Sequence, residues 1–203
     1  MRKVPGLALG SMLVAGLAGA QLAQSAHDFS GRGWGTTGIC QPCHTPQNAS
    51  TTLSVVLWNH EVATGPYTVY DSPTMNARTV QPNGVSKACL SCHDGTVALD
   101  SFAGSTGTTT INGAANLGTD LSNDHPVSFA YTDTLAMADG ELRSPTTQAS
   151  GLGGTIASDM LFGAGNTQME CASCHDVHNA SNHEFLLLKS NARSALCLTC
   201  HSK

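Results

Sequence analysis

The chain has 203 residues and a formal net charge of −5, and only 11% of its residues are charged and 5% aromatic. That balance argues against nucleic acid and against anionic membrane surfaces as partners. With 21 glycines and few aromatics, the chain makes a poor conventional core, so something other than side chains is expected to fill it.

Arg2 and Lys3 precede an apolar run from Leu7 to Ala20. This is the charged-then-apolar order of an export signal, with small-x-small cleavage sites ending at Ala20 and Ala26. The run is too short and too rich in Gly and Ala for a membrane span. No cysteine precedes Cys40, which leaves no lipid attachment point near the cleavage sites. Residues 1–26 are therefore read as a signal peptide and 27–203 as a single exported domain without a membrane span. Loss of Arg2 and Lys3 makes the mature chain more acidic, at −7.

All eight cysteines fall into four copies of C-x-x-C-H: Cys40–His44, Cys89–His93, Cys171–His175 and Cys197–His201. This is the attachment signature of c-type haem. On one turn of helix, positions i, i+3 and i+4 share a face. Two thiols can then bond one macrocycle while the imidazole reaches its iron. Four-cysteine zinc sites and disulfides also use paired cysteines, but neither requires His after the second Cys in every copy. Four haem c groups follow, held by Cys40, Cys43, Cys89, Cys92, Cys171, Cys174, Cys197 and Cys200, with His44, His93, His175 and His201 as proximal iron ligands.

Nine histidines less these four leave His27, His60, His125, His178 and His183. A second His on each iron closes it as a low-potential electron-transfer centre, a Met raises the potential, and an empty position permits catalysis. Met75, Met137, Met160 and Met169 are the competing ligands. His60 ends Leu57-Trp58-Asn59-His60, His125 is held extended by Pro126, and His178 lies three residues after His175. The expected distal ligands are His27, His60, His125 and His178, with His183 as the alternative.

Between the motifs, first-cysteine spacings of 49, 82 and 26 residues rule out a simple tandem array. Cys40–Ser50 and Cys171–Ser181 nevertheless form a worn repeat in which Gln47 stands opposite His178. The stretch from Asp94 to Glu170 carries low-complexity segments at 104–110 and 151–165 and is expected to be loop with turns. The best predicted helices are the haem motifs, above all the last, with Ser190 or Asn191 as its cap. Asn48-Ala-Ser50 and Asn179-Ala-Ser181 match glycosylation acceptors and are read as incidental. The expected fold is mostly irregular coil with a few short helices, wrapped around a chain of four haems that supplies the core.

Four segments carry a family resemblance: Ser86–Ala98 around the second motif, Leu57–His60, Asn123–Ser128, and Cys171–Asn179. Together they resemble the extracellular tetrahaem cytochromes of metal-reducing bacteria, of the outer-membrane cytochrome E type, over nearly the whole mature chain. The resemblance implies bis-His haems in alternating stacked and perpendicular arrangement. It also implies head-to-tail polymerisation of copies of the chain into a filament, with one distal His donated to the next subunit. Gln47 departs from a pattern that often has His there, which brings in His183. A His near the mature N-terminus, followed by Gly31, Gly33 and Gly35, can reach a neighbour, so His27 is the expected donor in trans. The functional expectation is extracellular electron transfer by a conductive filament that hands electrons to redox proteins or extracellular acceptors. The alternative is a monomeric periplasmic shuttle. An enzyme is not expected, since no motif replaces its His and ligands are in surplus.

Overall fold

In the computed structural model the described residues are 22–36 and 38–202. The export segment up to Gln21, with the Ala20 cleavage site, lies outside them. Most of the described chain is turn, bend and coil, joined by four short helices and one two-stranded sheet. The fold is thus the one expected, a coil-rich cytochrome c arrangement. No helix among the described residues is long and apolar enough to cross a membrane.

The longest helix, α1 (Gly84–His93), contains the whole second haem motif. It follows Asn83, whose Oδ1 accepts from the Gly84 amide at 2.7 Å. The fourth motif, expected to give the clearest helix, forms only the single turn α4 (Cys197–Cys200) after a 3-10 turn at Ala192–Ser194. Leu196, not Asn191, stands at its N-cap and no side chain caps it, although Asn191 Oδ1 accepts from Leu196 N at 3.2 Å. Arg193 and Ser194 have positive φ, and that break keeps the segment from running as one helix.

The connector from Asp94 to Glu170 is more ordered than its composition implies. It carries β1 (Phe129–Ala130), α2 (Asp133–Asp139), α3 (Ile156–Met160) and β2 (Gln168–Met169). The strands pair antiparallel, Phe129 with Met169 and Ala130 with Gln168. Thr132 starts α2 by accepting from Leu135 N at 3.2 Å, and Gly140, at φ 76°, ends it in a left-handed conformation open to glycine. Thr155 and Ser158 cap α3 reciprocally, each side chain accepting from the other's amide. These caps fix two helices too short to leave a periodic apolar pattern in the sequence.

Side-chain packing is divided among the haem motifs. The largest apolar cluster joins Phe129, Tyr131, Leu135, Ile156, Met160 and Met169 to Leu196 and Cys200, with Cys174 at its edge. A second gathers Leu53, Trp58 and Ala88 beside Cys43. A third puts Tyr67 and Leu121 on Leu90 of α1. The connector thus supplies an apolar side-chain core against the third and fourth motifs.

Candidate haem-attachment sites

Each motif is a helical turn. The amide of His44 donates to Cys40 O at 2.8 Å, that of His175 to Cys171 O at 3.1 Å and that of His201 to Cys197 O at 3.0 Å. The second motif lies within α1. No disulfide joins any of the eight cysteines on these turns, and both sulfurs of each pair share a face with the imidazole.

Three of the four turns are then held by the same clasp, which the sequence did not reveal. His44 forms an antiparallel bridge with Trp58, His175 with Leu187 and His201 with Leu142. In the first, Thr45 N donates to Leu57 O and Asn59 N to Cys43 O, both at 2.9 Å. In the third, Asp176 N donates to Leu186 O at 2.7 Å and Leu188 N to Cys174 O at 2.9 Å. In the fourth, Ser202 N donates to Glu141 O and Arg143 N to Cys200 O, both at 2.8 Å. The worn repeat therefore extends through Asn59 and Leu188 with two residues deleted. Asn48 and Asn179 share φ 55°, and Leu57 and Leu186 match at 54° and 56°.

Backbone carbonyls orient three of the motif imidazoles. Nδ1 of His44 meets Val56 O at 2.7 Å, that of His93 meets Ala115 O at 2.8 Å and that of His175 meets Phe185 O at 2.9 Å. A carbonyl at Nδ1 takes the ring proton there and leaves Nε2 as the free donor atom, which is how metal-binding histidines are commonly held. His125 is tied the same way to Pro126 O at 3.0 Å. His178 has Asp176 Oδ1 at 3.7 Å from its Nδ1.

Three surplus histidines face motif histidines. Ring centroids are 6.0 Å apart for His27 and His93, 6.2 Å for His44 and His178, and 6.4 Å for His125 and His201. Two His–metal bonds of about 2 Å across one ion, plus half of each ring, span roughly 6 Å. These residues therefore fit an axially ligated haem iron. Two buried polar atoms near them also lack hydrogen-bond partners, His27 Nδ1 and Trp58 Nε1. Trp58 stands edge-on to His44 at 6.4 Å.

The other two candidates are placed differently. His60 is 3% exposed, with Nε2 at 3.0 Å from Ala98 O and 3.5 Å from Cys92 Sγ, so it lies at the second motif, with its ring tilted against Trp58 rather than facing a motif His. His183 caps the 3-10 turn Glu184–Leu186. Among the described residues, no His ring lies in comparable contact with His175, although His27 is near enough to be repelled by its charge. Met160 and Met169 pack in the largest apolar cluster and Met75 against it, while Met137 is exposed.

Burial keeps most of these groups uncharged. Burial, with His93 and His175 nearby, pushes His27 down to about 4. Burial foremost, then His125, lowers His201. Burial also raises the Cys43, Cys174 and Cys200 thiols to about 11 and Cys92 to about 12. Cys89 hydrogen-bonds to Cys171, lowering Cys171 while its own value rises. The same proximities order the motifs: Cys43 acts on Cys92, Cys89 touches Cys171, and Cys200 acts on Cys174. First to fourth, the motifs follow one another in space as they do along the chain.

The family described as the doubled CXXCH motif matches residues 164–203, which hold the third and fourth motifs. No curated protein matches the chain. Taken with the oriented histidines, the doubled motif indicates a multihaem c-type cytochrome whose cofactor is covalently bound haem c.

Proposed function

We propose that the chain carries four haem c groups, one per motif, and relays electrons along them outside the cytoplasm. When bound, each haem iron takes up and gives back one electron by cycling between its ferric and ferrous states. The observation that carries this reading is the set of opposed pairs His27–His93, His44–His178 and His125–His201. These pairs would hold a bound haem iron with a His from each side and leave it no place for substrate, which favours transfer over catalysis. The adjacency of successive motifs supports a continuous path.

In this reading the chain is exported and polymerises head to tail into an extracellular filament. His27 is already opposed to His93 within its own chain, which weighs against it as the ligand given in trans. The side of His175 that no His of its own chain faces is the natural place for a neighbour's ligand. Of the two histidines left over, His60 is buried and His183 is the donor that can reach out. Such a contact is heterologous and grows open chains unless its rotation closes a ring. Micrographs of material sheared from cells test this. Filaments from the wild type, and soluble subunits with one altered haem from His183→Ala, are expected; discrete particles alone would leave the periplasmic shuttle.

A further inference from the structure

Two charged side chains lie at junctions between haem motifs without an opposite charge. Glu170 is 5% exposed and directly precedes Cys171. Its Oε2 accepts from Ser86 N at 3.2 Å and from Ser128 Oγ at 3.3 Å, and its carboxylate also caps the backbone amide of Ser173. Ser86 lies on α1 three residues before Cys89, and its Oγ accepts from Cys171 N at 3.0 Å. The carboxylate therefore sits where the second and third motifs meet; burial pushes it above its ordinary value, while the Ser86 and Ser128 donors in its cradle work the other way and hold its charge. Lys189 is placed alike between the third and fourth motifs. It follows Leu188 of the third clasp, and its Nζ donates to Ser150 O at 2.6 Å and to Thr199 Oγ1 at 3.0 Å, inside the Cys197–His201 turn. Among the described residues, neither charge has an ion-pair partner.

We propose that Glu170 and Lys189 are positioning charges that set an uneven ladder of reduction potentials, low at the second and third haems and high at the fourth. The inference rests on the relay reading above. A fixed negative charge stabilises the ferric state and lowers a potential, while a positive one raises it. A charge acts most strongly where water is excluded, as at Glu170, and less so at the half-buried Lys189. Neither residue touches the iron, and each acts on the haem beside it through space. Electrons entering at the third haem would then pass downhill to the fourth.

The test is a spectroelectrochemical titration of the haem-loaded full chain. Glu170→Gln should raise the lowest couples and Lys189→Gln should lower the highest. Each should change the electron-sharing equilibrium between them about tenfold, which is 59 mV for a one-electron couple. The double variant should narrow the spread by both amounts, and Lys189→Arg, which keeps the charge, should restore it. If Glu170→Gln fails to fold, the Lys189→Gln and Lys189→Arg pair decides alone. A spread unmoved within twofold, with all haems present and low-spin, overturns the tuning and leaves the relay standing. A wild type lacking several haem couples overturns the relay itself.

Discussion

A histidine becomes useful as a ligand only when its ring is held and its proton is placed. Val56, Ala115 and Phe185 do this through their carbonyl oxygens, so their side chains carry no sign of the role; Val56 and Phe185 are 77% and 74% exposed. Sequence reasoning finds the imidazole and misses the acceptor, because any residue has a carbonyl. The motif histidines were legible from their spacing. So were His27, His125 and His178, by count, and the structure sets each of them opposite a motif His. His60, expected in the same group, has its ring against the Ala98 carbonyl and Cys92. His178 offers the cleanest test, since its side chain is 54% exposed and its removal leaves no cavity. His178→Ala should turn one haem high-spin, or open it to added imidazole, without lowering the melting temperature by more than a few degrees. Electron paramagnetic resonance counts the change, and a fully low-spin variant would remove His178 from the ligand set.

Among the elements, the connector is the least legible part. Residues 104–110 are all Gly, Ser or Thr and 151–165 is rich in Gly, which in a sequence means loop. Within the connector such residues also do something more specific, since Thr132 and Thr155 begin helices of seven and five residues. Too few turns follow for an apolar period to emerge. Two carboxylates pin these elements. Asp133 accepts from Ser144 Oγ at 2.7 Å and from the Thr146 hydroxyl. Asp159 accepts from the Ser150 hydroxyl and from Gly154 N at 2.7 Å. These hydrogen bonds hold both groups below their ordinary value of 3.8. A carboxyl lowered by folding adds stability that is whole above 3.8 and is lost as pH falls through its folded value. Amide exchange in residues 133–160 should therefore accelerate on acidification below about 3.8 before the haem motifs open. In Asp133→Asn and Asp159→Asn the exchange should be faster already at neutral pH and less sensitive to acid. A connector that opens together with the motifs would contradict this separation.

Across the whole molecule, the motifs take unequal shares of the packing. Cys40 and Cys197 are exposed, whereas Cys174 and Cys200 adjoin the largest cluster, and Cys89 contacts Cys171 in the middle of the series. A coil-rich chain with few buried apolar residues depends on such contacts, because each short element has little stability of its own. The consequences of losing one haem should depend on position. Replacing Cys40 and Cys43 with Ser removes a group at one end, beside the small cluster of Leu53, Trp58 and Ala88. Mass spectrometry should then find three haems on a folded chain, with the remaining couples close to their original potentials. Replacing Cys171 and Cys174 removes the group that joins α1 to the connector core, across the cradle of Glu170, Ser86 and Ser128. That variant should melt far lower or accumulate as degraded chain, and any folded fraction should pass electrons between its two ends much more slowly, since the gap falls inside the series. If the two variants proved equally stable and equally fast, the motifs would be independent beads, and adjacency in space would not be what joins them.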